Sequence, residues 1–169
     1  MKNRIASLMA VIAFCCGFSA MAQEDLLGGS FKGWFQFIDA KYKKAGAAVQ
    51  YPADGSAVVT TKKVDAPNYT SVQLIRNLDL EKGKKYKLTF DLATNAAGKL
   101  DIVYIVSKAP WTTYAKNTFS VSPDQTSYEC VLEPQSQGEL GSPRSLRFFA
   151  GAMPDATITI SNIKLVPVE

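Results

Sequence analysis

Histidine is absent from the 169-residue sequence, and cysteine occurs three times. Without histidine the Ser-His and Cys-His nucleophile pairs cannot form, and zinc loses its commonest nitrogen ligand. Cys15 and Cys16 fall in an N-terminal apolar stretch, so Cys130 stands alone in the remainder. A disulfide framework and a C-x-x-C redox pair are thereby excluded. Strong charge is lacking too: 19 Lys and Arg against 15 Asp and Glu give a net charge of +4. That balance is too mild to point to nucleic acid. Beyond Ala22 no apolar run approaches the roughly 20 residues of a membrane span, so none is expected.

The N-terminal stretch reads as a secretory signal. Lys2 and Arg4 make a basic start, Ile5 to Phe18 is mostly apolar, and Ala20-Met21-Ala22 is a small-residue cleavage site. Cleavage after Ala22 leaves residues 23–169, enough for one domain with one core. All fifteen acids and all basic residues except Lys2 and Arg4 remain, a net charge of +2. A lipid anchor would need a small residue before the acylated cysteine; Phe14 precedes Cys15, and Cys15 precedes Cys16. The product is expected to be exported, either to a periplasm or out of the cell.

What is present is a rhythm of short strands. From Ala57 onward apolar residues recur at period 2 in runs closed by Gly, Pro, Asn or Asp. Strands are predicted near Phe35 to Asp39, Ala57 to Val64, Ser71 to Asn77, Lys85 to Ala93, Lys99 to Val106, Thr118 to Val121, Ser127 to Glu133, Ser145 to Phe149 and Thr157 to Pro167, with no amphipathic helix. Tyr86, Leu88, Phe90 and Leu92 alternate with Lys87, Thr89 and Asp91, a strand with one buried face. Leu100 to Val106 is apolar on nearly both faces, which predicts a central strand. Asn95-Ala96-Ala97-Gly98 reads as a hairpin between these two. The pattern predicts an all-β fold, a two-sheet antiparallel β-sandwich or jelly roll.

Alternation places Cys130 with Tyr128 and Leu132 on one face, as a small buried hydrophobe. The Lys41, Lys43, Lys44 and Lys82, Lys84, Lys85, Lys87 clusters read as solvated turns. Pro110 to Asn117 breaks the strand rhythm as a loop carrying Trp111 and Tyr114, and Pro134 to Pro143 reads as a surface connection.

The order Leu26-Leu27-Gly28-Gly29-Ser30-Phe31, Gly33-Trp34, Ser71-Val72-Gln73-Leu74, Leu80 to Asp91, Leu146 to Gly151 and Ile158 to Leu165 resembles the carbohydrate-binding modules of families 4 and 9, which are galactose-binding-domain-like jelly rolls. The resemblance implies a β-sandwich that holds a polysaccharide or oligosaccharide on aromatic platforms and amide or charged groups, with no catalysis of its own. It implies a core role for Trp34 and a place at or beside the groove for Gln73. Family members often carry acidic residues, linked to a structural calcium, where this chain has Lys32 and Asn162. No cofactor is expected, although Asp25 or Asp155 with backbone carbonyls leaves a structural calcium open.

Sugar recognition needs flat apolar faces for the C–H side of a pyranose and polar groups for its hydroxyls. Trp111 and Tyr114 are the candidate platforms; the alternative is a loop folded back over the core edge. Gln73 is the first hydrogen-bonding candidate, followed by Asn77, Asp91 and Asn95. Tyr69 either extends a platform or caps the sandwich end. Two other function classes stay open: a sandwich that binds protein without a sugar site, and a glycosidase using Asp91 and Asp101, if their strands are neighbours. Oligomeric state and the identity of the sugar are not legible.

Overall fold

The computed structural model describes residues 23–135 and 142–168. The expected signal over residues 1–22 lies outside them, as does most of the connection expected from Pro134 to Pro143. In chain order the elements are β1 (Phe35–Ile38), α1 (Ala40–Lys44), β2 (Ala48–Gln50), β3 (Ala57–Thr60), β4 (Val72–Asn77), β5 (Lys85–Thr94), β6 (Gly98–Val106), β7 (Thr113–Val121), β8 (Ser127–Leu132), β9 (Arg144–Phe149) and β10 (Thr157–Val168). A 3-10 turn, Tyr69–Ser71, leads into β4.

The strands form two five-stranded antiparallel sheets, ordered β1-β4-β9-β6-β7 and β2-β3-β10-β5-β8. Period-2 alternation gives each sheet one apolar face, and the two faces close on a shared core. Tyr86, Leu88, Phe90 and Leu92 of β5 are all buried. Phe90 stacks on Tyr128 with ring centroids 5.5 Å apart and meets Phe148 edge-on at 5.4 Å. Trp34 is buried against Phe31 and Phe148, at 4.8 and 5.7 Å, as expected. Cys130 takes the inward face of β8 but is only half-buried at its edge of the core. Burial, with Glu129 adding, pushes its thiol up to about 12.

Three local expectations are corrected. Asn95 to Gly98 is not a hairpin: β5 pairs with β10 and β8, whereas β6 pairs with β9 and β7, so this turn carries the chain from one sheet to the other. Turn residues report a reversal and not which sheet receives the next strand. Second, the Lys41 cluster forms the short helix α1, capped by the Asp39 carboxylate accepting from Lys41 N at 2.9 Å. Five residues are too few to show a helical period. Third, β7 begins at Thr113 rather than Thr118. Among the described residues no helix is long and apolar enough to cross a membrane.

Candidate functional site

The outer face of the β1-β4-β9-β6-β7 sheet is built from residues that strand register sets in rows. One row runs Phe37, Gln73, Phe149, Asp101, Thr118 across the five strands. The next runs Phe35, Ile75, Arg147, Val103, Lys116. Ile105 and Thr113 extend the floor beyond the second row. Over these rows lies an open groove of about 650 Å³. The four exposed aromatic rings among the described residues, Phe35, Phe37, Tyr69 and Trp111, all line it.

Each wall has its own local support. Tyr69 sits in the 3-10 turn that Asn68 caps by accepting from Thr70 N at 3.0 Å. Gly151 N donates to Tyr69 O at 3.1 Å, and the Tyr69 ring packs on Phe149 at 5.8 Å. Gly151 has no space for a side chain, because a Cβ there would collide with the backbone of Asn68 and Tyr69. On the opposite side Trp111 N closes a turn onto Lys108 O at 2.9 Å. Trp111 has φ +59°, a conformation sparsely populated by bulky residues, and its ring covers the Arg147 guanidinium at 5.4 Å.

Polar groups are set into the floor. Arg147 Nε donates to Ser145 Oγ at 2.8 Å, and its Nη1 donates to Gln73 Oε1 at 3.0 Å. Gln73 Nε2 in turn donates to Thr70 O at 2.6 Å, which fixes the amide orientation. Burial lowers the Arg147 pKa because the interior disfavours the charged form. Lys116 Nζ pairs with Asp101 at 2.9 Å and lies 5.4 Å from the Tyr69 ring centroid. Thr118 Oγ1 donates to the other Asp101 oxygen at 2.6 Å.

Of the residues predicted from sequence, Trp111, Tyr69 and Gln73 meet in this groove. Asn77 lies further along β4, exposed and outside the lining. Tyr114 is a core residue: only 8% exposed, it sits at an irregularity in β7 between the Ile105–Thr113 and Tyr104–Ala115 pairs, and its ring lies 6.1 Å from that of Tyr104. The unforeseen start of β7 turns it inward. Asp91 belongs to the other sheet, where Asn162 Nδ2 and Ser127 Oγ donate to it at 2.7 and 2.9 Å. Those two bonds hold its carboxyl below the usual range. Asn95 is spent in the turn between sheets, accepting from Thr157 N at 2.7 Å.

Asp91 and Asp101 therefore stand on strands of different sheets, both on outward positions, and the neighbouring pair that a glycosidase would need is not formed. The two calcium candidates make hydrogen bonds within the fold. Asp25 accepts from the Leu27, Gly29 and Leu165 amides at 2.8 to 3.0 Å, and Asp155 from Lys63 N at 3.1 Å. Among the described residues no three His, Cys, Asp or Glu side chains cluster.

Phe35, Phe37, Phe149 and Arg147 were not foreseen. The signal was present in Phe35-Gln36-Phe37-Ile38, whose alternation sets two rings on one face, and in Val103 and Ile105, which make β6 apolar on its outward side. A depression on the other sheet, lined by Thr89, Asp91, Ser127, Glu129, Asn162 and Lys164, has none of the exposed aromatic rings.

No protein-family model matches the chain, and no curated protein matches it. Solved structures do. A family 4 carbohydrate-binding module superposes over 84% of this chain and 91% of its own, with a TM-score of 0.65 at 19% identity. The second N-terminal cellulose-binding domain of β-1,4-glucanase C from Cellulomonas fimi superposes over 88% and 97%, with a TM-score of 0.65 at 15% identity. The first such domain of that enzyme covers 86% and 95%, with a TM-score of 0.62 at 12% identity. The chain has the jelly-roll fold of carbohydrate-binding modules.

Proposed function

We propose that this chain is an exported, non-catalytic module that binds a polysaccharide or oligosaccharide in the groove over β1, β4, β9, β6 and β7. The observation that carries the reading is the convergence of the four exposed aromatic rings among the described residues on one groove whose floor holds Gln73 and Arg147. Rings on the walls suit the apolar faces of pyranoses, and floor groups suit hydroxyls. The shared fold of the cellulose-binding domains from Cellulomonas fimi supports the same reading by analogy. Separation of Asp91 from Asp101 supports binding without hydrolysis. Export rests on the signal pattern of residues 1–22, and a secreted form beginning at Gln23 tests it by intact mass.

One observation favours a second reading, docking of another protein: the exposed rings Phe35, Phe37, Tyr69 and Trp111 lie over an apolar floor of Ile75, Val103, Ile105 and Phe149. Affinity electrophoresis separates the two. The mature protein should be retarded by at least one soluble polysaccharide, and the Trp111→Ala/Tyr69→Ala double variant should run freely. Asp91→Ala, on the other sheet, should be retarded like the wild type. Retardation that survives the double variant would move the site off this groove.

A further inference from the structure

The charges of the groove do not balance. Lys116 is neutralised by Asp101, whose side chain is 13% exposed and also accepts from Thr118. Arg147 is only 8% exposed, and its hydrogen bonds go to the neutral Ser145 and Gln73. Among the described residues no carboxylate lies within ion-pairing distance of it. A guanidinium this far from water is costly unless paired, and native proteins seldom keep one in that state.

Arg147 lines the groove with donors to spare. Arginine has five N–H donors, of which Nε and one on Nη1 are used. The polar atoms sealed from solvent without a partner, among the described residues, are Trp34 Nε1 and Tyr51 Oη; Nη2 is not one of them. It makes no hydrogen bond and is not sealed from solvent. Three N–H groups of Nη1 and Nη2 are left, and guanidinium donors of this kind bind the oxygens of an anionic group.

Resting on the carbohydrate reading above, we infer that the glycan taken by this groove bears an acidic group, a carboxylate or a sulfate, placed on Arg147 beneath the Trp111 ring. A ligand that fills the groove removes the last water from Arg147. With a neutral sugar that step completes the burial of an unpaired charge. With an acidic sugar it forms a buried ion pair, with Ser145 and Gln73 already holding the fork in place. The Lys116–Asp101 pair adds no net charge of either sign, so the preference falls on Arg147.

Matched polysaccharides test the inference: polygalacturonate against galactan, alginate against mannan, glucuronoxylan against arabinoxylan, and carrageenan against agarose. Binding should be confined to acidic members and should weaken as salt is raised. The first three pairs report a carboxylate and the last a sulfate. Arg147→Met should weaken binding about tenfold or more while leaving the melting temperature unchanged or higher, since a desolvated charge is lost. Arg147→Lys should fall between, keeping the charge without the fork. Neutral polysaccharides bound as tightly as acidic ones, without salt dependence, would overturn this inference and leave the carbohydrate reading intact. Binding to none of the panel would overturn both. If Arg147→Met failed to fold, the matched pairs, the salt series and Arg147→Lys would still decide.

Discussion

The two tryptophans make opposite predictions. Trp111 is 51% exposed and Trp34 is 6% exposed. A Trp side chain presents about 250 Å², so roughly 125 Å² of Trp111 meets water. A pyranose stacked on one face would cover about half of that. At about 25 cal/mol per Å² this is about 1.5 kcal/mol, or about tenfold in affinity. Trp111→Ala should therefore bind about tenfold more weakly or worse, with a smaller fall in melting temperature than a core ring gives, because half of the Trp111 ring is exposed. Trp34→Ala removes a ring packed between Phe31 and Phe148. Large-to-small changes of this kind cost about 3 to 5 kcal/mol. The lower end is expected here because Trp34 Nε1 is buried without a partner and its removal recovers part of that penalty. At about 2 to 4 °C per kcal/mol for a domain of this size, the melting temperature should fall by roughly 6 to 12 °C. Calorimetry with isothermal titration on both variants is the assay. A Trp111→Ala protein that binds normally, or one that melts as early as Trp34→Ala, would refute the assignment of one ring to the groove and the other to the core.

Three further outcomes are expected. Tyr114→Ala should lower the melting temperature through its lost packing on Tyr104, and by thermal denaturation its effect should exceed that of Trp111→Ala. Cys130, with its thiol pushed up to about 12 by burial, stays protonated at pH 8; a thiol reagent should label the native protein far more slowly than the unfolded chain, and equal rates would place it on the outward face. EDTA should leave the melting temperature unchanged, since Asp25 and Asp155 are engaged by backbone amides; a large drop would reveal a stabilising metal.

The sandwich was legible because alternation is a direct record of burial. Tyr86 to Leu92 announce β5 without any tertiary information. Leu100 to Val106 reads as a central strand; β6 lies between β9 and β7, one place from the sheet edge, and is apolar on both faces for a different reason. Val103 and Ile105 are buried with Phe149 under the groove, in a cluster separate from the core between the sheets. The same ambiguity hid Phe35 and Phe37: an apolar residue facing a surface groove has the pattern of one facing the core. Trp111 was legible from Pro110 and the break in strand rhythm. Tyr114 was not, because the irregularity between Tyr104 and Ile105 that admits it to the core is a property of pairing. Arg147 was invisible for a related reason, since its lack of a countercharge depends on strands β4, β9 and β6 brought together by register.

The two tryptophans also supply the most direct measurement of sugar binding at this groove. Trp34 is hidden in the core, so a ligand-induced change in tryptophan emission reports Trp111. Titrating the mature protein with a polysaccharide that retards it should shift the emission to shorter wavelength and saturate, and Trp111→Phe should lose the shift. Binding that saturates by calorimetry without any change in emission would contradict a glycan seated on Trp111.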